Sequence, residues 1–262
     1  MEIIGFISIF IVGVLLGLMG GGGSVLSLPI LIYIFSVDPV LATAYSLFIV
    51  GATSIVGTAL KYSNEMVDIK SGILFGIPSI VSVFITRAWI VPSIPDIIIQ
   101  FESLIITKRL LILGIFALLV VLTALGMIFK KNMPIKPNLK QLNPILIVSG
   151  LAVGFLTGFV GIGGGFLILP VLVFTAGIPF KSAIGTSLFI ISLKSLIGFT
   201  GDLINFQIDW YFLISITILS IFGIIIGNAA SKSLDGLKLK RSFGWFILII
   251  GCSVLVGEVV QV

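Results

Sequence analysis

Residues 19–31 read MGGGGSVLSLPIL, and residues 160–172 read VGIGGGFLILPVL. Each is a glycine cluster opening a short apolar stretch, 24–35 or 165–176, that contains a proline, Pro29 or Pro170. At about 1.5 Å per residue, such a stretch reaches only about 18 Å as a helix, against a bilayer core of about 30 Å. The spacing predicts half-helices or strongly broken spans. The two stretches also set the register of an internal repeat. Under a shift of 141 residues, Gly17, Gly20, Gly22, Gly23, Leu26, Leu28, Pro29 and Leu31 fall on Gly158, Gly161, Gly163, Gly164, Leu167, Leu169, Pro170 and Leu172. The match runs on without a gap. Ala42, Ser46, Ser54, Gly57, Asn64 and Asp68 fall on Ala183, Ser187, Ser195, Gly198, Asn205 and Asp209. Apolar segments coincide by chance on Leu and Ile, but not on Gly, Pro, Ser, Asn and Asp together. The chain is therefore an internal duplication.

Outward from these stretches lie longer apolar runs at 3–19, 40–60, 71–91, 108–129, 143–160, 183–200, 211–230 and 243–260. They are continuous rather than alternating, so they read as helices and not as barrel strands. The chain has 262 residues, of which 58% are hydrophobic and 10% charged. Its mean hydropathy is +1.33. So few polar residues cannot cover a water-soluble globule, which makes a bilayer the solvent that fits. The fold class expected is an all-α polytopic membrane protein. It holds two inverted repeats of about five hydrophobic segments, each with a glycine-loop broken helix pair. The repeats are expected at 1–130 and 143–262, joined by a linker at 131–142. The segment 92–107, with Pro92, Pro95, Asp96, Gln100 and Glu102, reads as an amphipathic stretch at the membrane interface.

Charge gives the expected orientation. The net charge of +5 does not point to nucleic acid, because the bases cluster in two short loops. Lys130, Lys131, Lys136 and Lys140 lie in one, and Lys232, Lys238, Lys240 and Arg241 in the other. The positive-inside rule makes both cytoplasmic, which places both termini outside a cytoplasmic-type cell membrane. Each repeat then holds an odd number of runs, so the repeats are inverted, a recurring plan of secondary transporters. Glu2 and the lack of an N-terminal basic region argue against a cleaved signal peptide. There is one cysteine, Cys252, and no histidine. Those counts remove an intramolecular disulfide, multi-Cys and His metal sites, His-ligated haem and Ser-His hydrolysis; with no acid in mid-span either, no metal, cofactor or enzyme activity is expected. Cys252 itself reads as a packing residue.

The glycine clusters Gly20-Gly21-Gly22-Gly23-Ser24 and Gly161-Ile162-Gly163-Gly164-Gly165 are the main candidate site. Glycine lets the backbone turn sharply and lets a ligand come close. A helix starting there presents free N–H groups and its positive dipole end, which suits a small anion. Close helix packing is the alternative reading, since small residues also let membrane helices touch. The glycine run, apolar stretch and proline, Gly20 to Pro29 and again Gly161 to Pro170, resemble the TauE/SafE family of sulfite exporters, which includes the 4-toluenesulfonate uptake permeases. The resemblance covers nearly the whole chain. It implies transport of sulfite, sulfonates or related sulfur-containing anions, and fixes neither substrate nor direction.

The helix after each short run adds candidates. Ser187 and Lys194, seven residues apart, share one helix face, and Ser46 and Thr53 are their counterparts. Lys194 falls in mid-span, where a charge costs about 2.5–3.5 kcal/mol on insertion scales, so it needs a polar interior or a partner such as Asp202. It is the natural counter-charge for an anion. Asp68 and Asp209 read as helix N-caps, and Asn64 and Asn205 as turn residues. Arg87 and Trp89 read as snorkelling and aromatic-belt residues near a span end. Thr43, Thr186, Ser54 and Ser195 either line a cavity or bond their own helix. The reading is a secondary transporter of small anions by alternating access, with the lipid bilayer and the substrate as partners. An anion channel of similar build, an intramembrane enzyme and a non-transporting scaffold are the rivals.

Overall fold

The computed structural model describes residues 2–95, 97–101, 104–129, 139–160 and 164–260. Helix α1 (Glu2–Met19) ends in a 3-10 turn over Gly20–Gly23. Helix α2 (Ser24–Pro29) follows and continues as a π-helical turn over Ile30–Ile34. Pro170, the counterpart of Pro29, lies within a regular α-helix, so proline alone does not set the widened turn. The chain then forms α3 (Pro39–Tyr62), α4 (Ile69–Ile85), a second π-helical turn (Thr86–Ile90) and α5 (Val91–Ser93). Strands β1 (Ile97–Phe101) and β2 (Leu104–Thr107) pair antiparallel before α6 (Lys108–Phe129). The second half holds α7 (Leu139–Val160), α8 (Gly165–Phe174), α9 (Phe180–Asp202), α10 (Trp210–Ser231) and α11 (Gly236–Val260).

The chain is an all-α polytopic membrane protein. Among the described residues, five helices are long and apolar enough to cross a bilayer, and the stretches 24–34 and 165–174 are the short ones anticipated. Apolar side chains such as Ile73, Ile77 and Val81 of α4, and Ile214, Ile218 and Phe222 of α10, face outward. They suit a lipid boundary, whereas α3 and α9 form the interior. The segment 92–107 differs from its expected form. Strands β1 and β2 pair antiparallel, because Pro95 turns Ile94 out of the helix and the β-branched isoleucines that follow favour a strand.

The 141-residue shift reappears in the packing. Gly13 and Gly17 of α1 press against Ser220 and Ile224 of α10, and their counterparts Gly154 and Gly158 of α7 press against Ser79 and Val83 of α4. Glycine is required at these crossings, since an added Cβ would strike the neighbouring helix. The backbone N–H of Asp68 donates to Thr186 Oγ1 at 2.8 Å, and that of Asp209 donates to Tyr45 Oη at 2.9 Å. Residues 45 and 186 are again counterparts. Helices α3 and α9 run antiparallel, with Gly51 beside Leu196 and Gly57 beside Leu188. The turn after α3 therefore lies at the end where α9 begins, and the turn after α9 at the end where α3 begins. Asp68 caps α4 by accepting from Ser71 N, and Asp209 caps α10 by accepting from Phe212 N, as their positions suggest. Asn64 and Asn205 donate to Leu60 O and Gly201 O, closing the helix ends before them.

Candidate substrate site

The first glycine turn folds the chain back on α1. Gly23 packs against Val12 and Leu16, and Phe35 returns to Phe6, with ring centroids 5.7 Å apart. This short segment thus doubles back instead of crossing alone. Gly20 holds φ +64 and Gly164 φ +72, left-handed backbone that glycine adopts without a Cβ penalty. Gly20 faces Ser187, whose Oγ would lie 2.9 Å from an added Cβ. Gly21 and Gly165 meet backbone to backbone, and both lie against Ile191, halfway along α9. The two glycine segments therefore converge at one depth. Their contact leaves no space between these two residues. Gly22 belongs to the 3-10 turn, while Gly161 and Gly163 lie outside the described residues.

Lys194 is fully buried, and its Nζ donates to Thr157 Oγ1 at 2.7 Å. A Cβ on Gly164 would stand 2.6 Å from the same Nζ. The left-handed turn thus gives the ammonium its room. Thr157 also donates to Val153 O, so one hydroxyl ties α7 to Lys194. Asp202 is not the partner of Lys194, because Arg87 takes it. Arg87 Nε donates to both Asp202 carboxylate oxygens at 2.8 and 3.0 Å, and Nη2 lies 2.6 Å from Oδ1. Nη1 donates to Thr43 Oγ1 at 2.8 Å. Arg87 is fully buried rather than snorkelling, which corrects the expectation for that residue. Trp89 is exposed, as a belt residue would be.

The hydroxyl candidates divide. Ser46 Oγ pairs with Ser27 Oγ at 2.6 Å, Ser24 Oγ donates to Gly21 O, and Ser187 Oγ donates to Ile184 O. Thr53, Ser54, Ser79, Ser195 and Ser220 are buried, and their hydroxyls make no hydrogen bond among the described residues. Ser54 and Ser195 are counterparts under the shift, as are Ser79 and Ser220. Buried polar groups are normally paired, so the recurrence of these positions in both halves makes them polar points in an otherwise apolar interior. Sequence reasoning passed over Thr157, Ser27, Ser79 and Ser220. A hydroxyl in an apolar helix usually bonds its own backbone, which hides any wider role.

Comparison with known proteins agrees with this architecture. The profile of the sulfite exporter TauE/SafE family matches residues 5–254. A "probable membrane transporter protein" of Xylella fastidiosa (strain 9a5c) is 28% identical, covering 94% of this chain and 91% of its own length. The "probable membrane transporter protein YunE" of Bacillus subtilis (strain 168) is 24% identical, covering 95% and 97%. The "probable membrane transporter protein MJ0441" of Methanocaldococcus jannaschii is 39% identical over 40% of this chain and 42% of its own. No solved structure matches. This chain belongs to the sulfite exporter TauE/SafE family.

Proposed function

We propose that this chain is a secondary transporter of small anions, drawn from sulfite, organosulfonates and related sulfur-containing anions, working by alternating access. The observation that carries this reading is Lys194, fully buried, bonded to Thr157 and opposite the left-handed turn at Gly164. Among the described residues it makes no ion pair. An ammonium buried in a membrane protein without a carboxylate is costly, and a bound anion removes that cost. Ser46, Thr53, Ser187 and the glycine segments 20–24 and 161–165 complete the lining in this reading. The halves 1–130 and 143–262 act as inverted repeats about the linker 131–142. Support comes from the reciprocal contacts and from matched turns at opposite ends of the α3–α9 pair. The end carrying Lys61, Lys181 and Lys232 faces the cytoplasm and both termini face outward, in line with the positive-inside rule.

Flux in proteoliposomes tests the function, with sulfite, sulfate, thiosulfate and short organosulfonates offered in turn. Saturable uptake with counterflow of at least one is expected. Conductance without saturation or counterflow identifies a channel instead, and no flux of any anion contradicts transport. Orientation is tested by labelling in a Cys252→Ser background. Lys238→Cys should resist an impermeant reagent outside intact cells and Ile204→Cys should react; the reverse pattern overturns the orientation.

A further inference from the structure

We infer a second anion-binding site at the basic end of the bundle, in series with the central one; it rests on the transport reading above. A cavity of about 240 Å³ opens there. Lys61 near the end of α3, Lys181 at the start of α9 and Lys232 just past α10 line it, with Asn64, Asn228 and Ser231. Lys61 is held in place: it is 5% exposed, and its Nζ donates to Ser231 Oγ at 2.7 Å. An ammonium has three donors, so donors remain for a ligand. Neither Lys61 nor Lys181 makes an ion pair among the described residues. The acids of the adjoining turns, Glu65 and Asp235, do not line the cavity. Asn228 is 6% exposed and its Oδ1 makes no hydrogen bond among the described residues.

The repeat says what this end lacks. Under the 141-residue shift, Lys61 is the counterpart of Asp202, and Asn228 that of Arg87. At the opposite end a guanidinium and a carboxylate fill the equivalent place and neutralise one another. Here a shorter amide stands for the guanidinium and a cation stands for the carboxylate. The exchange leaves both space and uncompensated positive charge. A small oxoanion supplies the missing complement, and Met66, Ile184 and Leu239 tolerate a short apolar substituent on it. The cavity also leads inward. Ile184 lines it, and the Ile184 Cγ2 and carbonyl oxygen would each lie 3.1 Å from a Cβ on Gly20. One residue therefore separates the cavity from the glycine turn.

An oxoanion in such a place comes either from solution or from an anionic lipid headgroup, and the soluble ion is the ligand inferred. The full chain in neutral detergent is titrated calorimetrically with sodium sulfate and sodium ethanesulfonate. The Lys194→Met protein should still bind at least one of them. Adding Lys61→Gln and Lys181→Gln to it should weaken that binding at least tenfold, with the thermal midpoint as the check on folding. If Lys61→Gln prevents folding, Lys181→Gln with Lys232→Gln replaces it. Binding in Lys194→Met that ignores the lysine substitutions overturns the second site. So does its absence from Lys194→Met when the wild type binds, a result that leaves the central site standing. A wild type that neither binds nor transports overturns both readings. In nanodiscs, sulfate affinity should be alike in phosphatidylcholine with or without phosphatidylglycerol. Loss of sulfate binding in phosphatidylglycerol, restored by the lysine substitutions, assigns the cluster to headgroups and overturns the proposal.

Discussion

The two ends of the α3–α9 pair are counterparts in sequence and opposites in electrostatics. At one end Arg87, Asp202 and Thr43 form a buried, mutually satisfied cluster. At the other, the matched positions carry Asn228, Lys61 and Ile184, and a cavity opens among them. Thus the same scaffold occurs twice, and substitution leaves one end filled by an ion pair and the other an open cavity lined by lysines. The same divergence appears at the centre, where Lys194 replaces the threonine of its counterpart position, Thr53. The end at Arg87 is closed and the end at Lys61 is open in the state described.

The closed end should be the easiest to break. Asp202→Asn leaves Arg87 buried and uncompensated, and should cost about 3–5 kcal/mol of stability, read as unfolding in detergent. Arg87→Met combined with Asp202→Leu should recover much of that loss. Equal losses in the single and double variants would mean that the ion pair is not the closing element. The centre comes next. Gly164→Ala forces a Cβ into left-handed backbone and onto Thr157 and Lys194, and should cost about 1–3 kcal/mol and lower flux. Gly126→Ala meets nothing within 4 Å and should be silent in flux. If the two behave alike, Gly164 has no special place.

Transplanting the closed end sharpens the comparison further. Lys61→Asp with Asn228→Arg should build an ion pair in the basic cavity and weaken anion binding there about tenfold, roughly 1.4 kcal/mol. Undiminished binding would show that position 61 does not govern the cavity. The smallest effect concerns the reciprocal turns. Tyr45→Phe removes the bond to Asp209 N and Thr186→Val the bond to Asp68 N. Each should cost about 1 kcal/mol, and by similar amounts if the turns are equivalent. A large effect of one and none of the other would break that equivalence.

The duplication, the short segments and the caps Asp68 and Asp209 were legible in the sequence because each is local or repeats at a fixed interval. Glycine clusters and prolines report backbone needs directly. The Arg87–Asp202 pair was not legible, since its partners lie 115 residues apart, Arg87 has a sufficient local explanation at a span end, and Asp202 has a nearer candidate partner in Lys194. Thr157 was hidden because it also satisfies the reading of a hydroxyl bonded to its own helix. The direct backbone contact of Gly21 with Gly165 was not legible. Depth is set by segment length, whereas the closeness of two backbones is set by everything packed around them. The strand pair at 97–107 was read from its polarity alone, and its β-branched residues, which favour pairing, were passed over.

The central claim is that Lys194 supplies the counter-charge for a transported anion. Counterflow of sulfite and of a short organosulfonate through Lys194→Met and wild-type proteoliposomes tests it most directly. A desolvated ammonium–oxoanion hydrogen bond is worth about 1.5–3 kcal/mol, so the variant should transport about ten- to a hundredfold less efficiently. It should meanwhile remain inserted and at least as stable, because an apolar side chain replaces a buried charge. Wild-type counterflow in a correctly inserted Lys194→Met protein would contradict the account.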